Sequence, residues 1–95
     1  MDQKSAYVKK AKAELDLLQS RMDGLNAKAR SAEADGEINF QQHIAELKAK
    51  RDAAYEHLSR LSKAGKEALE ELKEGFSQAA SDLKTSLDKA VSLFN

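Results

Sequence analysis

The chain contains no proline, and apolar residues recur through almost all of its 95 residues at steps of three and four. Proline is the residue that most reliably ends an α-helix, and this apolar period places one side of a helix against a partner. The pattern therefore predicts an all-α fold of long helices. We call the apolar residues of this repeat the seam. The seam residues that we expect to form an interaction surface are Leu15, Leu18, Met22, Leu25, Phe40, Ile44, Leu47, Leu58, Leu61, Leu69, Leu72, Phe76, Leu83 and Leu87.

The first part of the seam, over residues 11–32, keeps a strict alternation of four- and three-residue steps. A mean period of 3.5 residues is typical of a coiled coil and predicts left-handed supercoiling. The seam side chains shrink to alanine at Ala29 and Ala32, so we expect little apolar burial at that end.

Glycine marks two places where a helix could end. Helix formers flank Asp35-Gly36 on both sides, and we expect the helix to continue through it, at the cost of two consecutive four-residue steps in the seam. Ala64-Gly65 is the stronger break. Lys63 suits a helix C-terminus, Gly65 suits the left-handed cap, and glutamates suited to a new first turn follow.

The expected architecture is a single helical coiled-coil domain over residues 1–95. One long helix runs from about residue 4 to 63, a turn follows at 64–65, and an antiparallel helix runs from about 66 to 93, which together make a helical hairpin. The N-terminal arm of such a hairpin lacks a partner within the chain, so we predict a homo-oligomer. The alternative is a three-helix bundle with an additional break at 35–36.

Charge and composition narrow the classes of function. The 16 basic and 16 acidic residues cancel, so the chain lacks the basic excess with which proteins bind nucleic acid, and we expect no such partner. The absence of cysteine excludes disulfides and thiolate chemistry. The first residues lack the apolar core of a signal peptide, and no apolar run approaches about 20 residues, so we expect a cytoplasmic protein.

Few residues have the spacing of a catalytic, metal or cofactor site. His43 and Glu46 have the i, i+3 spacing of a metal-binding pair, but His57, the other histidine, lies fourteen residues away. The remaining possibility for a metal site is a pair of histidines from neighbouring copies in an oligomer. Glu70 and Glu74 have the i, i+4 spacing of a carboxylate pair that could share a proton, but they lie on a highly charged face opposite the seam. Because the sequence also lacks a glycine elbow and a phosphate loop, we expect no enzyme, no metal and no cofactor.

The last segment, residues 67–94, is amphipathic and could lie on a lipid surface. Residues 66–95 contain four basic and six acidic residues and no tryptophan, which disfavours an anionic membrane. Packing against the rest of the chain explains the same pattern. The expected function is a structural or protein-interaction module with an unidentified partner, and reversible lipid-surface binding is the alternative.

Residues 38–52 read INFQQHIAELKAKRD and resemble a segment of short bacterial coiled-coil proteins, in which a leucine-rich stretch and a final amphipathic helix follow. Residues 68–76, ALEELKEGF, resemble the start of that helix. The resemblance spans about residues 8–94. Some of these proteins are labelled stress-response proteins, so the resemblance implies a bacterial cytoplasmic origin, a role in stress and no catalytic residues. Gly36 departs from the helix formers of that family.

Overall fold

A computed structural model of the chain describes residues 3–34 and 40–94, which form three α-helices. These are α1 (Gln3–Ala34), α2 (Phe40–Lys63) and α3 (Leu69–Phe94). The described residues contain no β-strand, so the predicted all-α fold is confirmed. The helices lie side by side in a bundle about 51 Å long and 19 × 18 Å across, and each helix contacts both others.

The helices α1 and α2 are antiparallel neighbours. Tyr55 Oη donates a hydrogen bond to Asp16 Oδ1 at 2.9 Å, and Arg51 Nη1 donates one to Gln19 Oε1 at 3.2 Å. Residue numbers rise along α1 as they fall along α2, so the two helices run in opposite directions. This corrects the continuous helix expected over residues 4–63, and the structure adopts the three-helix alternative. The expected continuation through Asp35-Gly36 lies outside the described residues.

The physical reason for this correction is burial of apolar surface. A helix continuing to residue 63 leaves the seam of its N-terminal arm in water until another chain arrives. Folding α1 back against α2 and α3 removes the same side chains from water within one molecule, without the entropy cost of association.

The helices α2 and α3 are also antiparallel and are joined by a short connection over residues 64–68. Ala64 N donates to Leu61 O at 3.2 Å, and Ala68 N donates to Gly65 O at 3.3 Å. The connection thus contains Ala64-Gly65, where we expect a turn. Lys4 Nζ donates to Ala64 O at 3.0 Å, which holds the start of α1 against the end of α2.

The seam residues form one core in which all three helices participate. The largest fully buried side chains are Leu15, Leu47, Leu61, Leu83 and Leu87. No polar or charged residue is buried among the described residues. The bundle is therefore held together by a narrow apolar core of leucine and alanine, with polar contacts at its edges.

Two leucines of α1 test this packing, because Leu15 is 0% exposed and Leu17 is 64% exposed. We expect Leu15→Ala to lower the free energy of unfolding by about 2–5 kcal/mol, since it leaves a cavity in the core. Leu17→Ala should change it by less than about 0.5 kcal/mol. Urea unfolding followed by circular dichroism measures both. Equal losses for the two variants would contradict burial of the α1 seam in the bundle.

Candidate functional site

The predicted interaction residues lie inside the bundle. Leu69 and Leu72 are partly buried against the core, and the side chain of Phe40 lies outside the described part of the structure. The other predicted residues are buried, namely Leu15, Leu18, Met22, Leu25, Ile44, Leu47, Leu58, Leu61, Phe76, Leu83 and Leu87. A second molecule reaches these side chains only if the helices separate. The unpartnered arm from which a homo-oligomer was predicted has partners within its own chain.

Aromatic and charged contacts close the edge between α1 and α3. The rings of Tyr7 and Phe76 pack edge to face with centroids 6.3 Å apart, and Lys73 Nζ lies 5.0 Å from the centre of the Tyr7 ring. Farther along, Arg21 Nη2 donates to Asp88 Oδ1 at 2.8 Å. These pairs show that α1 and α3 run parallel. Burial raises the pKa of the Tyr7 phenol, and nearby carboxylates raise it further.

Tyr55 closes part of the opposite edge, between α1 and α2. Burial raises the pKa of its phenol, and the hydrogen bond to Asp16 and the charge of that carboxylate raise it further, while Arg51 lowers it. Both tyrosines are therefore neutral edge residues that fix how α1 sits on the other two helices.

Two surface cavities lie between α2 and α3, with volumes of about 540 Å³ and 350 Å³, and Lys50 lines both. We call the two together the α2–α3 groove, with one cavity at each end. Its lining includes His43, Lys50 and His57 from α2, and Gly75, Ser86 and Leu93 from α3. Both histidines of the chain thus lie in one surface feature.

Contacts across the groove show which residues of α2 and α3 lie at the same level along the bundle axis. Lys50 Nζ donates a hydrogen bond to Ser86 Oγ and lies 3.6 Å from Glu46 Oε1. At one end of the groove, His57 packs over Gly75, where an added Cβ would lie 3.4 Å from the imidazole Nδ1. That Nδ1 atom is buried and has no hydrogen-bond partner.

The apolar period does not reveal this groove, because most of its residues lie beside the seam. One signal was available, since His43, Lys50 and His57 are spaced by seven residues each. Heptad spacing places residues on one line along a helix in a bundle. The line lies on the side of α2 that faces α3.

His43 and Glu46 line the same end of the groove, as their i, i+3 spacing allows. Within residues 3–34 and 40–94, however, no group of three or more histidine, aspartate or glutamate side chains is placed to hold a metal ion. In the same residues, no helix is long and apolar enough to span a bilayer.

Comparison of the chain with protein-family models, with curated proteins and with solved structures finds no match. Function is therefore inferred from the bundle and its groove.

Two glycines inside helices test the contact between α2 and α3. Nothing lies within 4 Å of a Cβ added at Gly24, so Gly24→Ala should stabilise the bundle by about 1 kcal/mol through helix propensity alone. Gly75→Ala should gain somewhat more, because the new methyl group meets the His57 ring at 3.4–3.5 Å, an ordinary van der Waals contact that buries apolar surface. Thermal unfolding of both variants measures the difference, which should vanish when His57→Ala is added. Equal gains with His57 present would contradict the packing of His57 on Gly75.

Proposed function

We propose that the chain is a structural protein-interaction module, a small helical bundle that acts by binding other helices. The observation that supports this most is the α2–α3 groove. From His43 to His57 it follows fourteen residues of α2, which corresponds to about 21 Å of helix. An elongated groove between two helices has the shape that an amphipathic helix of a partner fills.

The polar and apolar groups of the groove suit such a partner. Lys50, Glu46 and Asp82 provide charges on its walls, and the alanine residues near His57 let a partner helix come close. Protein interfaces contain both apolar contacts and hydrogen-bonding polar groups.

The sequence predicts self-association through the seam, which in this fold requires the exchange of a helix between copies. Because the seam is buried within one chain, a second copy can use it only by exchanging a helix. The helix α1 is suited to exchange, since a second copy offers the same partners for its Tyr7 and Arg21 side chains. The role in stress and the bacterial cytoplasmic origin that the resemblance implies stay predictions.

Site-specific photo-cross-linking tests the proposed function. A photoreactive amino acid at Ala53, which lines the groove, should give adducts with protein when the full chain is expressed in cells. The same probe at Ser20, an exposed position of α1 outside the groove, is the matched control. Adducts at 53 but not at 20 support an interaction module that works through this groove. No adduct at 53 would contradict it.

A second candidate function, reversible binding to a lipid surface, is favoured by one feature of α3. This helix has the most amphipathic pattern of the three described helices. Its apolar side includes Phe76, Leu83 and Leu87, which face the core. Lipid binding by this side therefore requires α3 to leave the bundle, since an interfacial helix buries its apolar side among lipid chains.

Vesicle flotation with a locked variant tests this second candidate. The chain has no cysteine, so His57→Cys with Gly75→Cys offers one cross-linkable pair that ties α3 to α2. Lipid binding by α3 predicts that the reduced protein floats with vesicles of neutral and anionic phospholipid and that the cross-linked protein does not. If the unmodified chain does not float with the vesicles, reversible lipid-surface binding is excluded.

A further inference from the structure

We propose that the α2–α3 groove is a self-association surface that binds the same groove of a second copy of this chain. The inference rests on the proposed function and names the partner. The two copies lie antiparallel, and a two-fold axis passes beside the contact between Lys50 and Ser86. An interface of this kind uses one patch on both molecules, so each contact occurs twice.

A two-fold axis at that place pairs residues that lie equally far from it along the helices. On α2, His43 and His57 are each seven residues from Lys50, and on α3, Leu93 and Ala79 are each seven residues from Ser86. Seven helical residues span about 10.5 Å. A two-fold rotation about the Lys50–Ser86 contact therefore brings Leu93 of one copy to the height of Ala79 of the other.

The two ends of the groove are complementary in size. Leu93 is 55% exposed, although it is a large apolar residue, and it lies at one end. The other end is lined by Ala53, Gly75 and Ala79, and its volume of about 350 Å³ is large enough for a leucine side chain. The antiparallel pairing inserts the leucine of each copy into the open end of the other, which removes apolar surface from water at two places.

The charges of α3 are complementary about the same centre. Lys89 follows Ser86 by three residues, and Asp82 precedes it by four, so they lie about 4.5 and 6 Å to either side along the helix. The rotation places Lys89 of each copy opposite Asp82 of the other. Such charge pairs fix the register and the choice of partner more than the affinity. Near the axis, where the Lys50 side chains of both copies come together, Glu46 of each chain lies 3.6 Å from its own Lys50 ammonium and offsets the like charge.

Charge reversal tests the pairing. Sedimentation equilibrium of the unmodified chain should show a monomer–dimer equilibrium. Lys89→Glu and Asp82→Lys should each weaken the dimer by about tenfold or more, because each places two like charges opposite each other. An equimolar mixture of the two variants should form a heterodimer about as strong as the unmodified dimer, since both contacts then join opposite charges. Lys84→Glu, an exposed reversal on α3 outside the groove, should leave the dimer unchanged.

The inference is overturned if the unmodified chain stays monomeric up to about 1 mM, or if the mixture associates no better than the separate variants. A dimer that survives both reversals and Leu93→Glu uses another surface, such as exchanged α1 helices, and also overturns it. Photo-cross-links at Ala53 distinguish failure of self-association through the groove from failure of the proposed interaction module. Adducts with a different protein alone keep the interaction module and exclude self-association through the groove.

Discussion

Burial of the α1 seam by the other two helices of the same chain is the interaction on which the rest of the structure depends. Charged residues make up 34% of the chain, so each helix has only a narrow apolar side to offer. Two such helices leave part of each side in water, whereas three enclose a common core. The residues of α1 that enter this core, from Ala11 to Ala29, therefore stabilise the contact between α2 and α3 as well as their own helix.

The helical class and most of the core could be predicted from the sequence, because both follow from the apolar period. Leu15, Leu47, Leu61, Leu83 and Leu87 were on the predicted seam, and the structure buries all of them. The path of the chain between α1 and α2 was harder to predict. The same heptad pattern is satisfied by a helix of the same chain and by a helix of another, so the seam alone does not distinguish a bundle from an oligomer.

The candidate site was less accessible to sequence reasoning than the core. The groove combines residues of α2 and α3, and its register depends on where the turn after Lys63 places α3. A displacement of α3 by one helical turn would separate Lys50 from Ser86 and His57 from Gly75. The heptad line of His43, Lys50 and His57 was visible in the sequence, but the apolar and acidic residues that complete the groove were not assignable to it.

The packing of α1 against α3 of its own chain is tested at the contact between Tyr7 and Phe76, whose ring centroids lie 6.3 Å apart. The measurement is the nuclear Overhauser effect between these two rings in an equimolar mixture of isotope-labelled and unlabelled chains. The bundle predicts a signal within the labelled chain and none between labelled and unlabelled chains. A signal that arises only between chains would contradict it and would show that α1 has its partner in another molecule.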